Sequence, residues 1–292
     1  MTGILTLLYR ANGDYVSLKI PAAELSELTQ LGYVIERKPQ LGYRLVESPD
    51  KLIADDLRAR IDVQVIGKSI LVFEETASTN DVTARLVGGH RDEGLVIFAE
   101  SQTKGRGRHG RVWASPRGKG LWFSVLLRPP FPLSRVTVAA SVAVARVAGK
   151  EARIKWPNDV TVEGRKLAGI LTEVRDGAAV LGIGVNVNCS GKDLPAELLA
   201  TSIKTEDRPG LAARLLNELD ALYHQAADDF PAISAEWARL CTTLGKQIAV
   251  RMGDRRIEGH AQALDEDGAL LIRRDSGRIE RVLGADLTLE KI

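Results

Sequence analysis

The middle of the chain, residues 66–240, alternates apolar β-type runs with helix-like segments. The strand-like runs are ILVFEET (70–76), GLVIFAE (94–100), LWFSVLLR (121–128), ARIKW (152–156), KLAGILTEV (166–174) and AAVLGIGVNVN (178–188). One helix is predicted from Asn80 to Val87, and an almost wholly apolar one runs from Ser134, the predicted N-cap, to Gly149. A helix that is apolar on nearly every side has to pack against a sheet. The pattern therefore predicts a mixed α/β domain, with a polar helical tail over residues 211–241.

The two ends of the chain have different patterns. Residues 1–65 contain a helix, a second short helix in PAAELSELTQLG (21–32) and a hairpin in VIERKPQLGYRLV (34–46), an order typical of a winged helix-turn-helix. The last fifty residues contain the short runs QIAVRM, IEGHAQAL, ALLIRR and RIERVL between turns rich in Gly and Asp, which predict a small β-barrel. We therefore expect three domains, at residues 1–65, 66–242 and 243–292.

Composition excludes several classes of protein. The 292 residues are 45% hydrophobic and 27% charged with a formal net charge of +2, which is typical of a globular chain and leaves no chain-wide basic field for nucleic acid. The longest apolar stretch, residues 136–147, is too short to span a bilayer, and the first residues lack signal-peptide features. Cys189 and Cys241 are isolated, which predicts a reducing, cytoplasmic location, and the four histidines show no metal-ligand spacing.

One glycine-rich loop concentrates positive charge. Residues 100–120 read ESQTKGRGRHGRVWASPRGKG, with six Lys or Arg and one acidic residue. Glycines let backbone N–H groups converge on an anion, and arginines can clamp it with two hydrogen bonds. The stretch 105–110 matches GxGxxG, but the Pro and Gly residues after Trp113 exclude the helix that a Rossmann turn opens, and kinase HRD and DFG segments are missing. The loop predicts a site for a phosphate-like or carboxylate-like ligand; an exposed basic loop or an RNA-binding segment is the alternative.

Three further segments each have an ordinary structural explanation. Ser78-Thr79-Asn80 could be a helix cap, and KWPND (155–159) could be a turn. The glycine-containing run 182–188 is harder to explain by structure alone, because at a period of two its Gly and Asn residues share one face of a strand while Ile and Val share the other. A bare face ending in amides suits a ligand that lies against the strand. Cys189 follows this strand with no histidine nearby in sequence, so a core or edge position is expected for it.

Taken together, GRGRHGRVW, KWPND, RKLAGIL and GIGVNVN, in this order and spacing, resemble the biotin protein ligases. The resemblance covers residues 66–292 and, more loosely, the N-terminal segment. It implies an α+β fold: a class II synthetase-like, lipoate-ligase-like catalytic domain with a mixed sheet, an N-terminal winged-helix remnant and a C-terminal SH3-like barrel. It also implies a ligase that forms a C–N bond. Such an enzyme activates biotin with ATP as biotinyl-5′-AMP and transfers it to a lysine of a biotin carboxyl carrier domain, such as that of acetyl-CoA carboxylase.

The resemblance also implies roles for individual residues. Because the first step brings two anions together, fixed cations are needed, and Mg²⁺ is expected to be bound mostly by the phosphates. The expected biotin-binding residues are Ser78, Thr79, Asn80, Gln102, Arg106, Gly107, Arg108 and Lys166. The expected nucleotide-binding residues are Arg108, Arg111, Trp113, Asn158, Asp159 and Asn186. Arg106, Arg108, Lys166 and Asp159 are expected to be catalytic, with Asp159 as the hypothesised base for the acceptor lysine.

Two alternative functions stay open at this point, a lipoate or octanoyl ligase on the same fold and a biotin-responsive repressor. The N-terminal segment carries eight Lys or Arg against nine Asp or Glu, and nothing basic lies between Lys19 and Arg37. The stretch between ILTLLYRANGDYVS (4–17) and LTQLGYVIERKPQLGYRLVESP (28–49) is about ten residues too short for a complete second helix, turn and recognition helix. DNA is therefore not expected as a partner, nor is a membrane, and a homodimer is left open.

Overall fold

The structure is a computed structural model, and it describes residues 1–88, 93–194, 199–252, 254–283 and 287–290. The helices are α1 Thr2–Arg10, α2 Ala22–Gln30, α3 Ala54–Arg60, α4 Thr79–Leu86, α5 Leu133–Ala148, α6 Arg208–Asp228 and α7 Phe230–Leu240. The strands are β1 Val34–Lys38, β2 Gly42–Glu47, β3 Ile70–Phe73, β4 Val96–Ala99, β5 Gly120–Leu127, β6 Ala152–Lys155, β7 Asp159–Val162, β8 Arg165–Arg175, β9 Ala178–Asn186, β10 Gln247–Met252, β11 Arg255–Leu264, β12 Leu270–Arg273, β13 Ile279–Val282 and β14 Leu287–Glu290.

A seven-stranded mixed sheet forms the centre of the molecule. Its strand order is β3-β4-β5-β9-β8-β7-β6, with β3 and β4 parallel and every other neighbouring pair antiparallel. All six predicted strands of the middle region lie in this sheet, so the predicted mixed-sheet α+β fold is confirmed. β7 was not predicted, because its first residue, Asp159, ends the KWPND segment that could have been a turn.

Helices cover both faces of this sheet. On one face, α5 lies across β6–β9 beneath α6 and α7, and the shared core includes Phe98, Phe123, Ile183 and Trp237. On the other face, α4 packs on β4, β5 and β9 over a smaller cluster around Ile97. The smaller cluster leaves part of the second face uncovered by helices, and the functional site described below lies there.

Two helix predictions need correction. Ser134 is not the N-cap of α5: the helix begins at Leu133 after Pro132, and the Ser134 hydroxyl donates instead to the backbone carbonyl of Asp267 in the C-terminal region. The predicted helical tail is two helices, because the chain leaves helical geometry at Asp229, which then caps α7 by accepting a hydrogen bond from the Ala232 N–H at 3.3 Å. The predicted stop at Gly149 is confirmed, with φ at 101°.

The N-terminal segment has the predicted helix, helix and hairpin, in α1, α2 and the β1–β2 pair. Only the nine-residue α2 lies between α1 and the hairpin, and α3 follows the hairpin. Asp56 of α3 accepts hydrogen bonds from the Tyr9 and Tyr33 hydroxyls, and burial raises the pKa of its carboxyl above the usual value. Arg60 of the same helix pairs with Asp207 at 2.9 Å, directly before α6. The N-terminal segment is therefore bonded to the helices of the central region.

In the last fifty residues, the described strands form a separate, all-antiparallel sheet. The described strands follow the order β13-β12-β11-β10-β14, and a bulge interrupts the pairing of β11 with β12. This is the small all-β C-terminal unit that the short runs predict. Elsewhere, no helix among the described residues is both long enough and apolar enough to cross a bilayer.

Asp220 of α6 offers a test of how the central region is held together. Its carboxylate accepts hydrogen bonds from the backbone N–H groups of Gln64, Val65 and Ile66 at 2.7–2.9 Å. Asp220→Ala leaves these donors without an acceptor, so we expect a loss of about 3 kcal/mol in the free energy of unfolding, measured by urea denaturation. Asp228→Ala, at an exposed position of the same helix, is the matched control. Equal stabilities of the two variants would contradict this role for Asp220.

Candidate active site

The floor of the site is a set of glycines on two neighbouring strands, β8 and β9. A Cβ on Gly182 would lie 2.2 Å from the Asn80 Oδ1, and one on Gly184 would lie 2.5 Å from the Trp113 Nε1. Gly169, which pairs with Gly184 across the strands, would place its Cβ 3.0 Å from the same indole. The missing side chains thus let an amide and an indole lie directly on the sheet.

The glycine-rich loop, residues 101–119, folds back over this floor and bonds to itself. The backbone N–H of Trp113 donates to the Gly105 carbonyl at 2.9 Å, and the backbone N–H of Gly107 donates to the Arg111 carbonyl at 2.7 Å. Gly105 is required here, because a Cβ would lie 2.4 Å from the Trp113 carbonyl oxygen. The tip of the loop is a short 3-10 turn over Arg108–Gly110. The loop therefore has a defined shape that brings Trp113 back onto the sheet.

Loop and floor enclose a cavity of about 210 Å³. Every residue that the sequence analysis assigned to biotin or nucleotide lines it, except Asn186. The lining includes Ser78, Thr79, Asn80, Gln102, Arg106, Gly107, Arg108, Arg111, Trp113, Asn158, Asp159 and Lys166. Asn186 is buried beside the cavity instead, where its amide donates to the Thr201 carbonyl at 3.0 Å.

Neutral polar groups occupy one end of the cavity. The buried Ser124 hydroxyl of β5 donates to the Asn80 Oδ1 at 2.5 Å and lies 2.7 Å from the Thr79 hydroxyl. The Gln102 Oε1 accepts from the Thr79 N–H at 2.8 Å. Ser78 directly precedes α4 but makes no side-chain capping bond, so the cap explanation for this segment does not account for it. Hydroxyl and amide groups fixed in this way suit a neutral, polar ring.

Arg106 is paired within the protein, which the sequence did not indicate. Its guanidinium donates to the carboxylates of Asp81 and Glu173, the latter at 2.9 Å. Burial by itself would lower the pKa of Arg106, but the hydrogen bonds to these two carboxylates outweigh it and raise the pKa above its usual value. Glu173 also accepts from the Asn80 amide at 2.7 Å, so one carboxylate orients both a cation and a polar group of the cavity.

The other cationic groups lie at the opposite end, around the indole of Trp113. The Lys166 ammonium lies 2.8 Å from the Asp159 Oδ1 and 5.1 Å from the centre of the Trp113 ring. Arg108 donates to the Asn158 Oδ1 at 3.3 Å. The Trp113 Nε1–H is buried, with no hydrogen-bond acceptor among the described residues. Such a group costs free energy unless something accepts its proton, which is consistent with a position at a ligand site.

The described residues can be checked for metal ligands at the site and for a cysteine nucleophile. Among the described residues, no three His, Cys, Asp or Glu side chains gather closely enough to hold a metal ion. Oxygen donors are nevertheless present in Asp159 and Asn158, and these fit Mg²⁺ held chiefly by phosphates. Both cysteines are free, and burial raises the pKa of the Cys189 thiol to about 11, so it is a poor nucleophile.

Comparison with known proteins gives consistent matches. Residues 72–190 match the Biotin/lipoate A/B protein ligase family, and residues 243–287 match the biotin protein ligase C terminal domain. The chain is 33% identical over 285 residues to the Bifunctional ligase/repressor BirA of Bacillus subtilis, which covers 91% of this chain and 87% of the relative. The chain belongs to the biotin protein ligase family.

Two further members of the family extend the comparison with this ligase-family chain. The Biotin--[acetyl-CoA-carboxylase] ligase of Mycobacterium tuberculosis is 36% identical over 217 residues, covering 69% of this chain and 82% of the relative. The solved structure of the biotin protein ligase from Aquifex aeolicus in complex with biotin and ATP superposes with a TM-score of 0.65 at 27% identity, covering 77% of this chain and all of that one. The resemblance read from the four motifs is thus confirmed.

Three side chains of the site were missed by sequence reasoning: Asp81, Ser124 and Glu173. Ser124 and Glu173 are polar residues in otherwise apolar strand runs, WFSVL and ILTEV, whereas Asp81 lies in the polar helix α4. A serine or carboxylate inside an apolar strand has to find a partner, so Ser124 and Glu173 carried a signal that could have been used. Which partner each finds depends on strand register, and no motif encodes that.

The glycine floor can be tested with a single methyl group. Gly184→Ala forces Trp113 to move or the strands to separate, and we expect a loss of about 1–3 kcal/mol in the free energy of unfolding. Tryptophan emission should also shift to longer wavelength as the indole becomes exposed. Gly191→Ala is the control, because nothing lies within 4 Å of its added Cβ. Unchanged stability and emission in Gly184→Ala would show that the indole does not depend on this floor.

Proposed function

We propose that this protein is an ATP-dependent biotin–protein ligase. It activates biotin as biotinyl-5′-AMP and transfers the biotinyl group to a lysine of a biotin carboxyl carrier domain. The observation that carries the proposal is the single cavity that joins a neutral polar end to a cationic end under one loop. Family membership supports it, as does the acetyl-CoA carboxylase named for the Mycobacterium tuberculosis relative.

The first step joins two anions. A carboxylate oxygen of biotin attacks the α-phosphorus of ATP, the bond from that phosphorus to the bridging oxygen breaks, and pyrophosphate leaves. Mg²⁺ bound through the phosphates would neutralise part of their charge. Arg108 and Lys166 line the cavity and are held by Asn158 and Asp159, so their positive charges are already oriented when the anions meet. Charge that is preorganised in this way is a large term in catalysis.

Arg106 has a different role in this reaction. Because Asp81 and Glu173 already bind its guanidinium, its charge is largely balanced inside the protein. Its side chain ties the loop to α4 and to β8 beside the neutral end of the cavity. We infer that Arg106 shapes the biotin pocket and that Arg108, Arg111 and Lys166 provide the charge for the activated carboxyl and the phosphates.

The second step needs a neutral amine. The carrier lysine loses a proton, its nitrogen attacks the acyl carbon of biotinyl-5′-AMP, and AMP leaves with the anhydride oxygen. Asp159 as the proton acceptor stays a prediction, since one of its carboxylate oxygens is engaged by Lys166 in the structure. The structure supports another task for Asp159, which is to hold the Lys166 ammonium over the cavity.

The proposal is tested by one assay. The protein is incubated with ATP, Mg²⁺ and a carrier domain, together with labelled biotin in one reaction and labelled lipoate in another. Covalent label from biotin alone, at the carrier lysine, is expected. Label from lipoate in place of biotin would assign the chain to the lipoate branch of the fold, and label from neither would refute a ligase function.

The loop should also retain the reactive adenylate by excluding water and competing amines. Arg108 lies at the loop tip and bonds to Asn158, so Arg108→Gly removes a tie between the loop and the opposite wall. We expect this variant to form biotinyl-5′-AMP but release it, so that lysines of an added bystander protein become labelled. Arg117→Gly is the control, because Arg117 belongs to the same loop but pairs with Glu74 away from the cavity. Labelling confined to the carrier would count against retention by the loop.

The N-terminal segment, we further propose, does not recognise an operator sequence, although the Bacillus subtilis relative is named a repressor. α2 is the single helix between α1 and the hairpin, and it carries Glu24 and Glu27 but no Lys or Arg. In the hairpin, Lys38 and Arg44 both pair with Glu36, so their charges are partly balanced. DNA affinity depends on unbalanced Lys and Arg facing phosphates.

A gel-shift experiment checks this proposal. With biotin, ATP and DNA from the promoter of the organism's own biotin genes, we expect no sequence-specific complex at moderate salt, since few phosphates would be neutralised. A DNA fragment of equal length and unrelated sequence is the control. A complex with the promoter that survives moderate salt, while the control fragment is released, would restore the repressor function.

The cytoplasmic location that the two isolated cysteines predict also stays a prediction.

A further inference from the structure

Arg208, the first residue of α6, is a buried cation that the proposed chemistry does not use. Arg208 is 1% exposed, and its main partner, Glu100, is 4% exposed. The Arg208 Nη1 lies 2.8 Å from one Glu100 carboxylate oxygen, and its Nη2 donates to the other at 3.0 Å. A two-point contact of this kind fixes the mutual orientation of a guanidinium and a carboxylate.

The pair lies at the two stems of the glycine-rich loop. Glu100 directly follows β4, where the chain enters the loop, and Gly120 begins β5, where the chain leaves it. Arg208 also donates to the Gly120 carbonyl at 3.2 Å, so one guanidinium bonds to both stems. The backbone adds a third tie, because the Gly118 N–H donates to the Glu100 carbonyl at 3.2 Å.

The same pair is bonded to residues 50–52 of the N-terminal segment, which lie between β2 and α3. The Leu52 N–H donates to the Glu100 Oε1 at 2.8 Å. Arg208 donates to the Asp50 carbonyl at 3.1 Å through Nη2, and to the Asp50 carboxylate at 3.0 Å through its backbone N–H. Residues 50–52, the two loop stems and the start of α6 thus meet at one buried ion pair.

We propose that Arg208 and Glu100 are a positioning pair that sets the height of the glycine-rich loop over the cavity. Gln102 is only two residues from Glu100, and its side-chain amide oxygen accepts a hydrogen bond from the Thr79 backbone N–H. A rotation of the stem therefore moves the polar end of the cavity, although neither member of the pair lines it. The inference rests on the proposed ligase function and adds residues that act on ligand binding without touching the ligand.

Breaking this geometry should affect binding more than chemistry. Arg208→Lys keeps the charge but cannot bond to both stems at once, and Glu100→Gln keeps the shape but removes the ion pair. For each variant we expect KM for biotin and the rate of biotinyl-5′-AMP escape to rise about tenfold, with kcat at saturating biotin changed less than about twofold. The double variant should equal either single variant, because the two side chains act as one unit.

Two further variants separate positioning from general stability. Asp50→Ala removes one acceptor while leaving the Arg208–Glu100 pair, and we expect a smaller change in the same direction. It also keeps the test available if Arg208→Lys fails to fold. Arg146→Lys is the control, because Arg146 pairs with Glu218 and Glu236 between α5, α6 and α7, away from the loop. It can lower the melting temperature but should leave KM and escape unchanged.

Each outcome decides the question. Folded Arg208→Lys and Glu100→Gln proteins with wild-type KM and escape would overturn the proposal, as would an equal effect of Arg146→Lys. Independent, additive effects of Arg208→Lys and Glu100→Gln would also overturn it. A wild-type protein that forms no biotinyl-5′-AMP would instead refute the proposed function, and this is measured first.

Discussion

The contact of two side chains with bare strand backbone is the constraint on which the site depends. Asn80 and Trp113 come from different segments, and both reach the sheet only because Gly182 and Gly184 have no Cβ. The backbone N–H of Trp113 donates a hydrogen bond to the Gly105 carbonyl, and this bond fixes where the loop turns back. The cavity is consequently the space left between this glycine floor and a loop that is held against it by the Trp113 indole and by the Arg106–Glu173 pair.

Charge is distributed so that the two ends of the cavity differ. At the neutral end, the carboxylates of Asp81 and Glu173 balance Arg106. At the other end, Lys166 faces the carboxylate of Asp159, while Arg108 contacts the uncharged amide of Asn158. Two cationic side chains with fixed positions therefore lie where a carboxylate and a phosphate would meet. Cations that are oriented before the anions arrive stabilise the charge that develops during the reaction.

Much of the fold and of the cavity lining could be predicted from the sequence, because both depend on local patterns. Alternating apolar runs identified the strands, and the period-two glycines from Gly182 identified the bare face. Pairing across the sheet could not be predicted in the same way. Ser134 was read as a cap because its position fits one, but its hydroxyl bonds to a carbonyl more than a hundred residues away. The pairing of Arg106 with Glu173 likewise requires the register of β8.

The loop is restrained at its stems and at Trp113, which limits the motion that ligand binding can require. Glu100 and Gly120 are held by a single buried guanidinium, whereas the stretch 109–112 at the tip is exposed, with Val112 79% accessible. A ligand therefore meets a loop whose stems already have a fixed position. Because ordering each residue costs conformational entropy, this arrangement reduces the free energy that ligand binding must supply.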